Sequence, residues 1–115
     1  MKISDLVKEA HEIAKTHGWW DEPKTFGEMI ALIHSEASEA LEEFRNGHDP
    51  KETYGVSLRM ITIADKPEGI PSELADIIIR VADLCGYYGI DLEKAIKDKM
   101  LYNKLRPYKH GGKKI

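Results

Sequence analysis

Residues 71 to 89 read PSELADIIIRVADLCGYYG, and the reading of this stretch decides the fold. Its spacing predicts a helix that starts after Pro71-Ser72 and runs to about Tyr88, where Gly89 stops it. Leu74, Ile77, Ile78, Val81, Leu84 and Cys85 fall on one side, with Ala75, Ile79 and Ala82 on the other, so the helix is apolar nearly all round. Such a helix belongs in the middle of a bundle. Its only continuous polar stripe is Glu73, Asp76, Arg80 and Asp83. Carboxylates taken out of water without partners cost several kcal/mol each, and one arginine cannot balance three of them. The stripe must face something specific.

Working outward, Thr25 and Glu28 form a capping-box pattern ahead of Phe26, Met29, Ile30, Ile33, Ala37, Ala40, Leu41 and Phe44, a helical run that Asn46-Gly47 ends. Before it, Ile3, Leu6, Val7, Ala10, Ile13 and Ala14 recur at helical spacing over about 4 to 17, with Ser4 as the cap and Gly18 as the stop. After it, Asp91 caps a fourth helix through Leu92, Ala95, Ile96, Met100, Leu101 and Leu105, closed by Pro107. Between Asn46 and Pro71 the period fails, and Val56 to Ile63 alternates well enough for a short strand. The tail from Lys109 to Ile115 reads as mobile. The expected fold is a single all-α domain over 1–115, a bundle of four to five helices with a long loop between the second and third.

Composition bounds the function. At 115 residues, 42% hydrophobic and 32% charged, the chain can bury a core and still cover it, which excludes a disordered segment. A formal net charge of -3 argues against binding polymeric nucleic acid, which depends on surplus Lys and Arg. Met1-Lys2-Ile3-Ser4-Asp5 lacks a signal-peptide pattern, and no run approaches the roughly 20 apolar residues of a membrane span. The one cysteine, Cys85, cannot pair internally, so a reducing cytoplasm is expected, with no membrane partner.

At about 100° per residue, Glu36 lies at the edge of the second helix's apolar arc, with Glu39 and Glu43 just beyond. Packed beside the third helix, Glu36 and Glu39 would stand opposite Glu73 and Asp76 and form the oxygen cage that magnesium or manganese prefers. Glu9 and Glu12 have identical spacing but point away from the apolar face of the first helix, and are read as surface. Trp19 and Trp20 precede the second helix, where each can stack on a base or plug the core. His34 lies on another face of the second helix from Glu36; a lone histidine there is usually structural, yet it can touch substrate. No GxxxxGK[ST] loop and no ExxH occur, which excludes a P-loop hydrolase and a di-iron bundle.

Glu36-x-x-Glu39 followed by Glu73-x-x-Asp76 resembles the ExxE...ExxD signature of the MazG-like, all-α nucleoside triphosphate pyrophosphohydrolases. The segments LIHSEASEALEEFR at 32–45, KPEGIPSELADIIIRVADLCGYYGIDLEKAI at 66–96 and KMLYNKLRPYKHGG at 99–112 resemble the same family, over most of the chain. The resemblance implies a dimerising bundle, as a homodimer or a dimer of dimers, whose acidic set of Glu36, Glu39, Glu73 and Asp76 is both catalytic and the site of Mg2+, with Mn2+ a possible substitute. It implies an enzyme that cuts the α-β linkage of a nucleoside triphosphate, releasing monophosphate and pyrophosphate. Lys99, Asn103 and Arg106 match the family's K...N..R pattern and would reach phosphate or sugar oxygens, although a basic helix end also complements the dipole. The connection over residues 40 to 72 is longer than in compact members, which bears on substrate choice. The alternatives are hydrolysis of a related pyrophosphate such as phosphoribosyl-ATP on the same scaffold, and a helical dimer that serves as an interaction module without catalysis.

Overall fold

The computed structural model describes residues 1–55 and 66–107. Four helices form there: α1 (Ile3–Thr16), α2 (Phe26–Arg45), α3 (Ile70–Tyr88) and α4 (Leu92–Leu105). Two begin at the side chains that the sequence nominates. The Thr25 hydroxyl accepts the Glu28 amide at 3.1 Å, and Asp91 Oδ1 accepts the Lys94 amide at 3.0 Å, each satisfying one of the orphan donors of a first turn. Gly89 ends α3 in the left-handed region at φ 67°, and its neighbour Ile90 returns its amide to the Cys85 carbonyl at 2.9 Å.

Two starts differ from expectation. Lys2, not Ser4, caps α1: the helix begins at Ile3, Ser4 is already inside the first turn, and the Leu6 amide closes on the Lys2 carbonyl at 3.0 Å without a side-chain cap. The third helix begins at Ile70 rather than beyond Pro71-Ser72. Pro71 sits in the first turn, where its missing N–H costs no hydrogen bond and its fixed φ suits the helix.

The all-round apolar character of α3 is met in part: α3 packs against both α1 and α2, but Leu74, Ala75, Ile78 and Ile79 stay exposed, while α4 lies against α1. Ala10, Met29, Ile70, Ala82, Leu84 and Cys85 form the buried apolar core. At the α1–α3 crossing the backbones come close: a Cβ on Gly86 would stand 2.6 Å from the His11 Cβ. The outer positions are less covered than their periodicity suggests. Phe26, Leu41, Phe44, Leu74, Ile78 and Ile79 are exposed, and α4 buries no residue, leaving Met100, Leu101 and Leu105 at 66, 58 and 74% exposure.

Among the described residues no strand forms. The proposed strand from Val56 to Ile63 lies outside the described residues except for its approach, as does the tail from Lys109 to Ile115. At the approach, Tyr54 and Glu68 pair as an isolated antiparallel bridge, with N···O distances of 3.1 and 2.9 Å. Glycine is required on both sides of it: Gly55 (φ 83°) and Gly69 (φ 113°) are left-handed, and a Cβ at Gly55 would meet the Lys66 carbonyl oxygen at 2.5 Å. The Tyr54 hydroxyl donates to both Glu43 oxygens at 2.8 and 3.0 Å, a pairing that pushes its pKa up to about 12, and His48 stacks on the Tyr54 ring. These contacts tie the exit from α2 to the entry into α3. No helix of the described residues is long and apolar enough to cross a membrane.

Candidate functional site

Side-by-side packing of α2 and α3 turns two stretches of acidic sequence toward each other. Glu73, Asp76 and Arg80 follow at i, i+3 and i+7 on α3 and so share one face, and α2 delivers Glu36 to the same place. One carboxyl oxygen from each of Glu36, Glu73 and Asp76 lies within 4.8 Å of the others. Glu36 is buried at 6% exposure, and Glu73 and Asp76 are half-buried. Arg80 Nε donates to Glu36 Oε1 at 2.8 Å. The other oxygen of Glu36, and Oε2 of Glu73, are buried with no hydrogen-bond partner.

The protonation pattern follows from this crowding. Burial pushes the Glu36 carboxyl up, but the Arg80 hydrogen bond and hydrogen bonding from the carboxyl groups of Glu73 and Glu39 outweigh it and hold Glu36 below its ordinary range. Among the described residues Glu73 forms no ion pair, and burial and then Glu39 and Glu36 push it up to about 7. Asp76 is raised chiefly by burial and also by Glu36, against the pull of Arg80 and Lys66. Three hard oxygen donors, two of them carrying orphaned buried atoms, are the donor set that a small divalent cation takes.

Beside the carboxylates opens a cleft of about 330 Å³. Glu36, Asp76, Arg80 and Asp83 line one part, and the α1 side supplies Ala10, Ile13, Ala14 and His17, with Trp19 following in the turn. The Trp19 ring has the Lys24 ammonium 4.5 Å and the Arg80 guanidinium carbon 5.3 Å from its centroid, and its Nε1–H is buried without a partner.

The fourth member of the α3 stripe has a different occupation. Asp83 Oδ1 accepts the Trp20 indole N–H at 2.8 Å and lies 2.8 Å from His11 Nδ1. Trp20 stacks on Tyr87 at 4.0 Å between centroids and 9° between planes, and His11 meets both rings edge-on. Asp83 is therefore the anchor that fastens α1 and the turn after it to α3, and Trp20 is held in that anchor.

Of the residues singled out from sequence, the fold brings together Glu36, Glu73 and Asp76. Glu39 is exposed on α2 at their edge, close enough to raise Glu73. Trp19 lines the adjoining cleft, whereas Trp20 does not. His34 is exposed on α2, Lys99 and Asn103 are exposed on α4, which packs on α1, and Arg106 is exposed just beyond its end; none of the four lines the cleft. Sequence reasoning placed Arg80 on the stripe but missed its seat against Trp19, and missed the His11–Asp83–Trp20 linkage altogether. Comparison of the chain with known protein families, curated proteins and solved structures finds no match.

Proposed function

We propose that the protein is a magnesium-dependent nucleoside triphosphate pyrophosphohydrolase, an enzyme that cleaves the α-β phosphoanhydride and releases nucleoside monophosphate and pyrophosphate. The observation that carries this reading is the convergence of Glu36, Glu73 and Asp76 within 4.8 Å, with Glu36 Oε2 and Glu73 Oε2 buried and without partners. A merely solvated acidic face leaves its oxygens to water; these are withheld from it. The resemblance of the ExxE and ExxD segments to the MazG-like family supports the choice of reaction.

In this reading Glu36, Glu73 and Asp76 hold the cation, and Glu39 at their edge completes the set. Magnesium, when bound, neutralises the charge of the phosphate chain and stabilises the departing pyrophosphate. Glu36, kept ionised by Arg80, supplies a permanent negative charge. Glu73, with a pKa near neutrality in the metal-free protein, would release its carboxyl proton to solvent when it serves as a cation ligand. The cleft beside Trp19 takes the organic part of the substrate and excludes water from it. The exposed apolar residues of α4, together with Leu41, Phe44, Leu74 and Ile78, support assembly with further copies of the chain, as a homodimer or a dimer of dimers.

The test is a panel of standard, deoxy and modified nucleoside triphosphates, incubated with magnesium and resolved by product. Pyrophosphate and monophosphate are expected as the first products. Orthophosphate and diphosphate as first products would place attack at the γ position, and no turnover across the panel would remove the assignment.

A further inference from the structure

Arg80 stands where the carboxylates meet the cleft, and among the described residues one of its five N–H donors is engaged. Nε donates to Glu36 Oε1 at 2.8 Å, while the guanidinium carbon lies 5.3 Å from the centre of the Trp19 ring. Among the described residues, Nη1 and Nη2 have no hydrogen-bond or ion-pair partner. The nearby acids do not claim them. Asp83, one turn further along α3, is taken by His11 and Trp20, and Asp76 forms no ion pair with Arg80.

A guanidinium is planar and presents a fork of donors that matches two oxygens of one phosphate or carboxylate. Pinned through Nε and laid against an aromatic ring, this one has lost most of its rotational freedom before any ligand arrives, so gripping an oxygen pair costs it little more. It also lines the cleft, so a ligand there meets its free edge.

Charge sets the order of events. Glu36, Glu39, Glu73 and Asp76 outnumber the single guanidinium, and an anion approaching alone is repelled. Building on the metal-dependent reading above, the geometry points to Arg80 as the anchor for one phosphate group of the ligand, gripped by its two Nη groups while Nε stays on Glu36. Anion binding is then conditional on the cation: the divalent ion enters first, and the phosphate follows onto the ion and Arg80 together. Arg80 thus has two jobs on two edges, orienting a cation ligand with one and receiving an anion with the other.

Calorimetric titration of the full chain separates them, with magnesium alone and with inorganic pyrophosphate in the absence and presence of magnesium. For the parent protein, pyrophosphate should bind only when magnesium is present. Arg80→Gln should weaken that magnesium-dependent binding at least tenfold, a loss several times larger than any change in its affinity for magnesium alone. Arg80→Lys keeps the charge without the fork and should lie between the two; it also decides the matter if the Gln variant does not fold, as judged by its melting transition. Pyrophosphate binding unchanged in both variants, or magnesium affinity lost in the same proportion as pyrophosphate affinity, overturns the anchor. Failure of the parent itself to bind magnesium is a different result, which removes the metal reading and the anchor with it.

Discussion

Glu36 and Glu73 meet across the α2–α3 interface, each with its Oε2 buried and without a hydrogen-bond partner. Proximity drives their proton affinities apart: Arg80 keeps Glu36 ionised, and Glu73, pushed up by burial and by its acidic neighbours, titrates near 7. The unfolded chain loses the Glu73 proton near the ordinary carboxylate value, about 4.3, so the folded state binds more protons between there and 7. The stability associated with this group is fully present below the unfolded value and is lost as pH rises through about 7. Thermal melts of the metal-free protein should therefore show a decline from pH 5 to pH 8 that Glu73→Gln flattens and that magnesium reverses at pH 8. A decline of equal size in Glu73→Gln would assign it to other groups.

Acids drawn from identically spaced pairs should behave oppositely according to where the pair sits. Glu39→Gln or Asp76→Asn should lower kcat at saturating magnesium on the order of 10- to 100-fold or more, as changes to cation sites commonly do. Glu9→Gln and Glu12→Gln should leave it near the parental value, since both are exposed and the Glu12–Lys15 pair at 3.2 Å is a surface ion pair. The isosteric amides keep the volume, and relief of repulsion should hold or raise the melting temperature of the metal-free Asp76→Asn protein. Near-parental rates in Glu39→Gln and Asp76→Asn would end the carboxylate mechanism.

Gly86→Ala tests the α1–α3 crossing. The new methyl group would lie 2.6 Å from the His11 Cβ and 3.3 Å from the Val7 carbonyl oxygen, so the helices must separate. Overpacking of this kind costs about 1–3 kcal/mol, against which alanine's better helix propensity returns about 1 kcal/mol. Urea denaturation should show a net loss of stability. A gain would mean that the crossing gives way freely.

Light scattering at micromolar concentration should show at least a dimer. The apolar side chains left uncovered on α4, with Leu105 at 74% exposure, are too many for a helix whose only purpose is to flank α1. A monomer that turns over substrate at that concentration would refute the assembly.

The helices were legible because their ends are written locally. Thr25 with Glu28, Asp91 with Lys94, and Gly89 need only neighbouring residues to act, and all three act where the sequence puts them. The start of α3 was missed by the ambiguity of proline, which can precede a helix or occupy its first turn. In the site, Glu36 announced itself by its angular position at the edge of an apolar arc. The linkage of Asp83 to His11 and Trp20 could not be read the same way, because its partners lie 72 and 63 residues away and no periodicity connects them. The exposure of α4 was not legible for a related reason: a helical period says which residues share a face, not whether a neighbour is there to cover it.

The bridge between Tyr54 and Glu68 gives the connection a property of a different kind. Both ends of the intervening chain are clamped at one point, by paired backbone amides and two glycine-only approaches, before α3 begins. In polymer terms the closure is made at the clamp: the entropy cost of bringing α3 back onto α2 falls where Tyr54 meets Glu68, so the register of the two helices, and with it the meeting of Glu36 and Glu73, is fixed by residues 54–55 and 66–69.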